Sequence, residues 1–310
     1  MKRIIYLIFL VFLLNNCSFD NKTGIWTGSE NISKKKDIKD RNIELIFEKQ
    51  NKLIKDKELS LKQNLKLESP ILFTDWSQSY QNKFNYIGNV SFLNEGNYKK
   101  FSKISKSKIN KNILVSNDNL FFSDFKGNIG VFSLIDNKLI YKFNFYKKKL
   151  KKTEKIIKLI IKDESIIAAD NLGYVYSINL KEKKLNWAKN FLVPFRSNLK
   201  IIDKTLYLSD EKNKIILIDL QTGRKIDEFY TQPSKAVSKF ESNLAIDSYG
   251  NLLFLSTNGS LYSLNLRNQK TLNWIQNFKP ENEIIFNGKP IIISNGRVIV
   301  SSDKNISVLG

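Results

Sequence analysis

Ala168-Ala169-Asp170-Asn171-Leu172-Gly173-Tyr174-Val175-Tyr176-Ser177-Ile178-Asn179-Leu180 is a stretch that returns along this chain. It comes back as Leu208-Ser209-Asp210-Glu211-Lys212-Asn213-Lys214-Ile215-Ile216-Leu217-Ile218-Asp219-Leu220 and again over residues 254–266, with a looser copy over 122–132. The turn position falls at Gly127, Gly173, Asn213 and Gly259, in steps of 46, 40 and 46 residues. A period of about 40–45 residues with strand–turn–strand content is the mark of propeller blades. The expected fold is all-β: a β-propeller of four-stranded antiparallel blades forming an incomplete ring.

Each copy supports this locally. Tyr174, Tyr176, Ile178 and Leu180 share one face of an alternating strand, as do Tyr262, Leu264 and Leu266. Period two predicts a half-buried antiparallel strand. Glycine or asparagine at the intervening turns tolerates positive φ. A second turn follows each such strand, most clearly at Gln221-Thr222-Gly223-Arg224. Beyond it, Leu185-Asn186-Trp187 matches Leu272-Asn273-Trp274, Leu139-Ile140-Tyr141 repeats the element, and Ile226-Asp227-Glu228-Phe229 is a weaker copy. A large ring at one point per blade can wedge between neighbouring sheets and bury about 150–250 Å². Tyr141, Trp187 and Trp274 are therefore expected to dock blade on blade, rather than to hold a cofactor.

Composition narrows the chemistry. The chain of 310 residues has no histidine and one cysteine, which removes histidine triads, histidine metal sites and internal disulfides. No motif supports serine–lysine or paired-carboxylate catalysis, so no cofactor or metal is expected. The formal charge of +21 invites a nucleic-acid reading. Only six of the 51 basic residues are arginine, however, and bidentate phosphate and guanine recognition favours arginine. The lysines are spread among asparagines and isoleucines along the whole chain, as on a solvated surface. No nucleic-acid partner is expected.

The amino terminus reads as an address. Met1-Lys2-Arg3 precedes an apolar run from Ile4 to Leu14, too short for a spanning helix of about 20 residues. The run stops at Leu14-Asn15-Asn16-Cys17. A bacterial lipoprotein signal puts leucine three residues before the cysteine that receives lipid; Asn15 and Asn16 depart from the usual small residues. Residues 1–16 are thus expected to be a signal peptide and Cys17 the lipidated residue. Residues 17–66 form a lysine- and asparagine-rich tether, and 67–310 a partial propeller of about five to six blades. An initial blade is expected near Trp76 to Phe101. The last copy, from Arg297, stops inside a strand at Gly310, the pattern of a fragment of a longer protein.

Aspartate-x-x-glycine-x-valine-tyrosine-x-isoleucine-x-leucine, a turn and leucine-x-tryptophan resemble the repeats of pyrroloquinoline-quinone-type (PQQ-like) propellers. Cys17-Ser18-Phe19-Asp20-Asn21-Lys22-Thr23-Gly24-Ile25-Trp26, together with Pro70-Ile71-Leu72-Phe73-Thr74-Asp75-Trp76-Ser77-Gln78, resembles the start of BamB-type lipoproteins of alphaproteobacteria. The resemblance implies a non-enzymatic accessory lipoprotein of the outer-membrane β-barrel assembly (Bam) complex, an eight-bladed ring anchored at the periplasmic face of the outer membrane. Its partner would be the transport-associated domains of the barrel-forming subunit BamA. The family's contact loop reads leucine-x-leucine-arginine; Val193-Pro194-Phe195-Arg196 stands there, so Val193, Phe195 and Arg196 are candidate contacts. The next blade's loop carries aspartate-x-aspartate; here it reads Lys239-Phe240-Glu241, so Glu241 keeps one acid and Lys239 reverses the other. Two placements are open for the loop: direct partner contact, or Phe195 packed beneath it with Arg196 paired to Glu241. Two rival functions share the fold. One is a quinone-dependent dehydrogenase with calcium held by oxygen ligands, against which Asp124, Asp170 and Asp210 read as ordinary turn formers. The other is a generic periplasmic propeller binding peptide or polysaccharide.

Overall fold

The structure, a computed structural model, describes residues 68–91, 100, 102–146, 150, 152–233, 241–267, 271–279, 286–303 and 305–310. The expectations for residues 1–66, Cys17 among them, and for Phe101, Lys239 and Phe240 lie outside these. Backbone contacts divide the chain after Lys66, and every described residue belongs to the second unit.

Among the described residues there are only strands, in five antiparallel sheets that follow one another along the chain. The first is β1 (Leu114–Ser116), β2 (Asn119–Ser123), β3 (Asn128–Ser133) and β4 (Lys138–Asn144). The second is β5 (Ile157–Lys162), β6 (Ser165–Asp170), β7 (Tyr174–Asn179) and β8 (Lys184–Asn190). The third is β9 (Lys200–Ile202), β10 (Thr205–Ser209), β11 (Ile215–Asp219) and β12 (Lys225–Phe229). The fourth is β13 (Asn243–Ile246), β14 (Asn251–Leu255), β15 (Ser260–Asn265) and β16 (Thr271–Asn277). The fifth holds β17 (Ile292–Ser294), β18 (Arg297–Ser301) and β19 (Ile306–Leu309). Every sheet is a plain meander, each strand pairing with its neighbour in sequence.

The repeated turn is built the same way each time. Gly127, Gly173, Asn213 and Gly259 have φ of 87°, 87°, 66° and 80°, as read from the sequence. The aspartate three residues earlier fixes the turn. Asp124 Oδ1 accepts from the backbone N–H of Lys126 and Asn128, Asp170 Oδ1 from Leu172 and Tyr174, and Asp210 Oδ1 from Lys212 and Lys214. In the fourth sheet Ser256 Oγ accepts from Ser260 N–H at 3.2 Å instead. These are side-chain-capped turns, with the carboxylate replacing a backbone acceptor.

The repeat strand is buried on both faces, not on one as alternation predicted. Tyr176 and Ile178 of β7 pack with Phe121, Ile129 and Val131 of the first sheet, while Val175 packs with Leu206 and Ile218 of the third. The second, third and fourth sheets are each sandwiched between their sequence neighbours, so alternation there records which neighbour a side chain meets. Equivalent clusters join the third to the fourth sheet and the fourth to the fifth.

Residues 76–85 depart from the expected initial blade. They run past the first strand of every sheet in turn. Trp76 exchanges backbone hydrogen bonds with Val115, and Ser77 C=O accepts from Ile161 N–H at 2.8 Å. Lys200 Nζ donates to Asn82 C=O at 2.6 Å. Lys83 C=O then accepts from Ile246 N–H at 2.8 Å and Phe84 C=O from Ile293 N–H at 2.9 Å. The segment satisfies the polar groups that β1, β5, β9, β13 and β17 turn away from their own sheets. It is shared by five sheets and forms none itself.

Candidate functional site

The loop that follows β8 is held from both sides. Phe191 N–H donates to Gly173 C=O at 2.8 Å and Phe195 N–H to Asp170 C=O at 3.1 Å, tying it to the second sheet's hairpin. Arg196 N–H donates to Ser209 C=O at 3.0 Å, and Glu211 N–H to Pro194 C=O at 2.9 Å, tying it to the third sheet's hairpin. Gly173 lies so close that a methyl group there would come within 2.9 Å of both N and O of Val193.

Phe195 is buried between the two sheets and meets Phe191 edge-on at 5.6 Å. It anchors the loop from beneath. Val193 is half-buried. The Arg196 guanidinium stands 3.9 Å from the Glu211 carboxylate, not paired to Glu241 as one reading had it. The adjacent hairpin supplies a nearer acid. Glu241 instead pairs with Lys158 of β5. Tyr80 of the shared segment stands close by, its phenol pushed up to about 12 by burial and then by the Glu241 charge. Val193, Phe195 and Arg196 thus form one pinned loop, and Glu241 belongs to a separate Lys158–Tyr80 cluster.

Sequence reading missed Leu192. It is 83% exposed and holds φ of 62°, a left-handed conformation rare for a branched side chain. Asn190 Oδ1 accepts its N–H at 2.8 Å, which holds the bend. Also missed were Asn112 and Asn198, which bind first strand to first strand. Asn112 Oδ1 accepts from Leu159 N–H, and Asn198 both accepts from Leu244 N–H and donates to Leu244 C=O at 2.8 Å. The signal was present in Asn112-Ile113 and Asn198-Leu199, an asparagine before an apolar residue ahead of the first strand of two sheets.

The three inter-sheet aromatics differ in placement. Tyr141 OH donates to Lys183 C=O in the second sheet at 3.0 Å, and Trp187 Nε1–H to Leu220 C=O in the third at 2.8 Å. The Trp187 ring lies on Gly223, where a methyl group would clash with it. Trp274 does not dock: it is 39% exposed. Tyr141 and Trp187 close on the turn between the neighbour's third and fourth strands, and the fifth sheet has three strands among the described residues.

A calcium-held quinone needs several converging carboxylates. Among the described residues no three acids, cysteines or histidines stand together. Asp124 and Asp170 spend their oxygens on turn N–H groups and, respectively, on Ser105, Asn128 and Tyr146 hydroxyls and amides. Neither of these two carboxylates is left over for a cation.

No protein-family model matches the sequence, and no curated protein matches it. Solved structures do match. BamB from Moraxella catarrhalis aligns over 68% of this chain and 60% of its own length, with a TM-score of 0.51 and 11% identity. Quinohemoprotein alcohol dehydrogenase from Comamonas testosteroni aligns over 76% of this chain and 47% of its own, with a TM-score of 0.59 and 9% identity. The chain spans less than two thirds of either protein. The fold is therefore that of a PQQ-like β-propeller, a scaffold on which unrelated functions sit.

Proposed function

We propose that this chain is a non-catalytic scaffold, lipid-anchored through Cys17 at the periplasmic face of the outer membrane. In this reading it holds the periplasmic domains of a BamA-like subunit in the Bam complex and so supports folding and insertion of outer-membrane proteins. The observation that carries the reading is Leu192. An apolar side chain is held outward, in an unfavourable backbone conformation, by a loop pinned at four points beside Arg196. Local strain kept in place by surrounding bonds is typical of functional positions, and an exposed aliphatic group next to an arginine has the composition of an interface anchor. Fold likeness to BamB and the Leu14–Cys17 spacing point the same way.

The test is co-purification of the full lipidated chain with a BamA-like subunit from membranes in mild detergent. Leu192→Asp and Arg196→Glu should each weaken recovery about tenfold, and Cys17→Ser should release the chain from the membrane fraction. Undiminished recovery with both loop variants would reject the loop as the contact. Likeness to the dehydrogenase favours a second reading, a quinone enzyme. Titration with pyrroloquinoline quinone and calcium should leave the unfolding midpoint where it is; a ligand-dependent rise would favour the enzyme.

A further inference from the structure

Strands β4, β8, β12 and β16 each carry a β-bulge opposite the third strand of their sheet, and in β4 and β8 the side chain there reaches the next sheet. By register that side chain is Tyr141 opposite Val131, Trp187 opposite Ser177, Asp227 opposite Leu217 and Trp274 opposite Ser263. Between the second and third sheets the position is filled by the Trp187 indole, whose N–H reaches Leu220 C=O. Between the third and fourth sheets the register position is Asp227, beside Ile226, and among the described residues Tyr207 is the one ring that lines the space. A cleft of about 670 Å³ opens there, walled by Tyr207, Leu217 and Ile226 on one side and Leu266 on the other. Leu266 follows β15 as Leu220 follows β11, so the fourth sheet presents the counterpart of the residue that receives the Trp187 N–H.

The charge at this cleft is lopsided. Lys83 and Arg267 line it and form no ion pair among the described residues, while Asp203 is its one lining carboxylate. The Arg267 side chain lies across Gly250, where a methyl group would come within 3.1 Å of Nε. Burial and the neighbouring Asp203 charge keep the Tyr207 phenol protonated.

We infer that the cleft between the third and fourth sheets is a docking site for a polypeptide segment that carries an aromatic side chain beside a carboxylate. The ring takes the place that Trp187 holds one junction earlier, and Lys83 and Arg267 take the acid. The size suits such a group, since ligand sites run at about 300–1,000 Å³. This surface lies apart from the Leu192 loop and stands whether or not that loop binds a BamA-like subunit.

The probe is the capped peptide acetyl-Glu-Trp-Glu-amide, titrated by NMR into the full chain. Acetyl-Glu-Leu-Glu-amide removes the ring, and acetyl-Lys-Trp-Lys-amide reverses the charge. Each control should bind about tenfold more weakly. Asp227→Trp should fill the cleft from within and abolish binding while leaving the fold intact by circular dichroism. Arg267→Glu, at a site that no core contact needs, should weaken binding about tenfold. The inference is overturned if the leucine peptide binds as well as the tryptophan peptide. It is also overturned if a folded Asp227→Trp or Arg267→Glu chain binds like the parent.

Discussion

Lys200 buries its amine with no acid to meet it among the described residues. It is fully buried and donates to Gln78 Oε1 at 3.3 Å, Ser79 C=O at 3.5 Å and Asn82 C=O at 2.6 Å. These acceptors are neutral, so desolvation dominates and pushes the amine down to about 7. An unfolded lysine titrates at about 10.4. Between those values the unfolded chain holds the proton and the folded chain does not, so stability rises with pH across about 7 to 10, by at most about 1.4 kcal/mol per pH unit. Below pH 7 both states hold the proton and the cost of burying it is present in full. Lys200→Met should flatten this rise, read as the urea midpoint at pH 7, 8 and 9. An equally steep rise in the variant would assign it to other groups. Nothing in the sequence marked Lys200 among 51 basic residues. Its burial comes from the approach of residues 78–82, some 120 positions earlier in the chain.

A strand here is legible when its cue is local. The four turn residues with positive φ, the capping aspartates and the alternating strands were readable because each depends on its own few neighbours. In the weaker outer-strand copy, Ile226 to Phe229, no large ring marks the equivalent position. The register places Asp227 opposite Leu217 where Trp187 stands opposite Ser177. All four outer strands bulge at the same place, and Asp227 follows Leu220 by seven residues as Trp187 follows Leu180, so spacing carried this position where residue type did not. Of the site loop, Phe195 packs beneath it, one of the two placements the sequence left open, but which acid Arg196 meets depends on two hairpins folding beside each other. The Trp187 wedge gives this scale its test. The ring is 8% exposed, with its N–H on Leu220 C=O. Trp187→Ala should cost about 3–5 kcal/mol by leaving a cavity between the second and third sheets. Trp187→Phe keeps a ring and loses the hydrogen bond, and should cost about 1 kcal/mol for that bond. Equal losses in the two variants, measured by chemical unfolding, would mean that the N–H and not the packing holds the junction.

Five sheets in a row need something that makes them one molecule. Apolar clusters join each to the next, and the segment 76–85 reaches all of them through hydrogen bonds to first strands, backbone to backbone except at the third sheet, where the Lys200 side chain makes them. Backbone bonds of this kind require no particular side chain, which is why this segment read as part of an ordinary blade. At its far end a side chain does take part. Asn85, buried at φ of 57°, donates through Nδ2 to Leu244 C=O at 3.0 Å and to Ile291 C=O at 2.9 Å, bracketing the fourth and fifth sheets. If the segment couples the sheets, cutting this bracket should loosen the fifth sheet alone. Asn85→Gly is the fitting variant, because glycine keeps the positive φ that alanine would strain. Leu244 C=O would keep the Asn198 amide as its donor, while Ile291 C=O would lose its own, at about 1–3 kcal/mol. Amide hydrogen exchange should show protection falling by that amount across β17–β19 and unchanged across β5–β8, since local opening energies follow cooperative units. A uniform fall in all five sheets would instead make the whole array a single unit, with the clusters between sheets, and not the shared segment, setting its cooperativity.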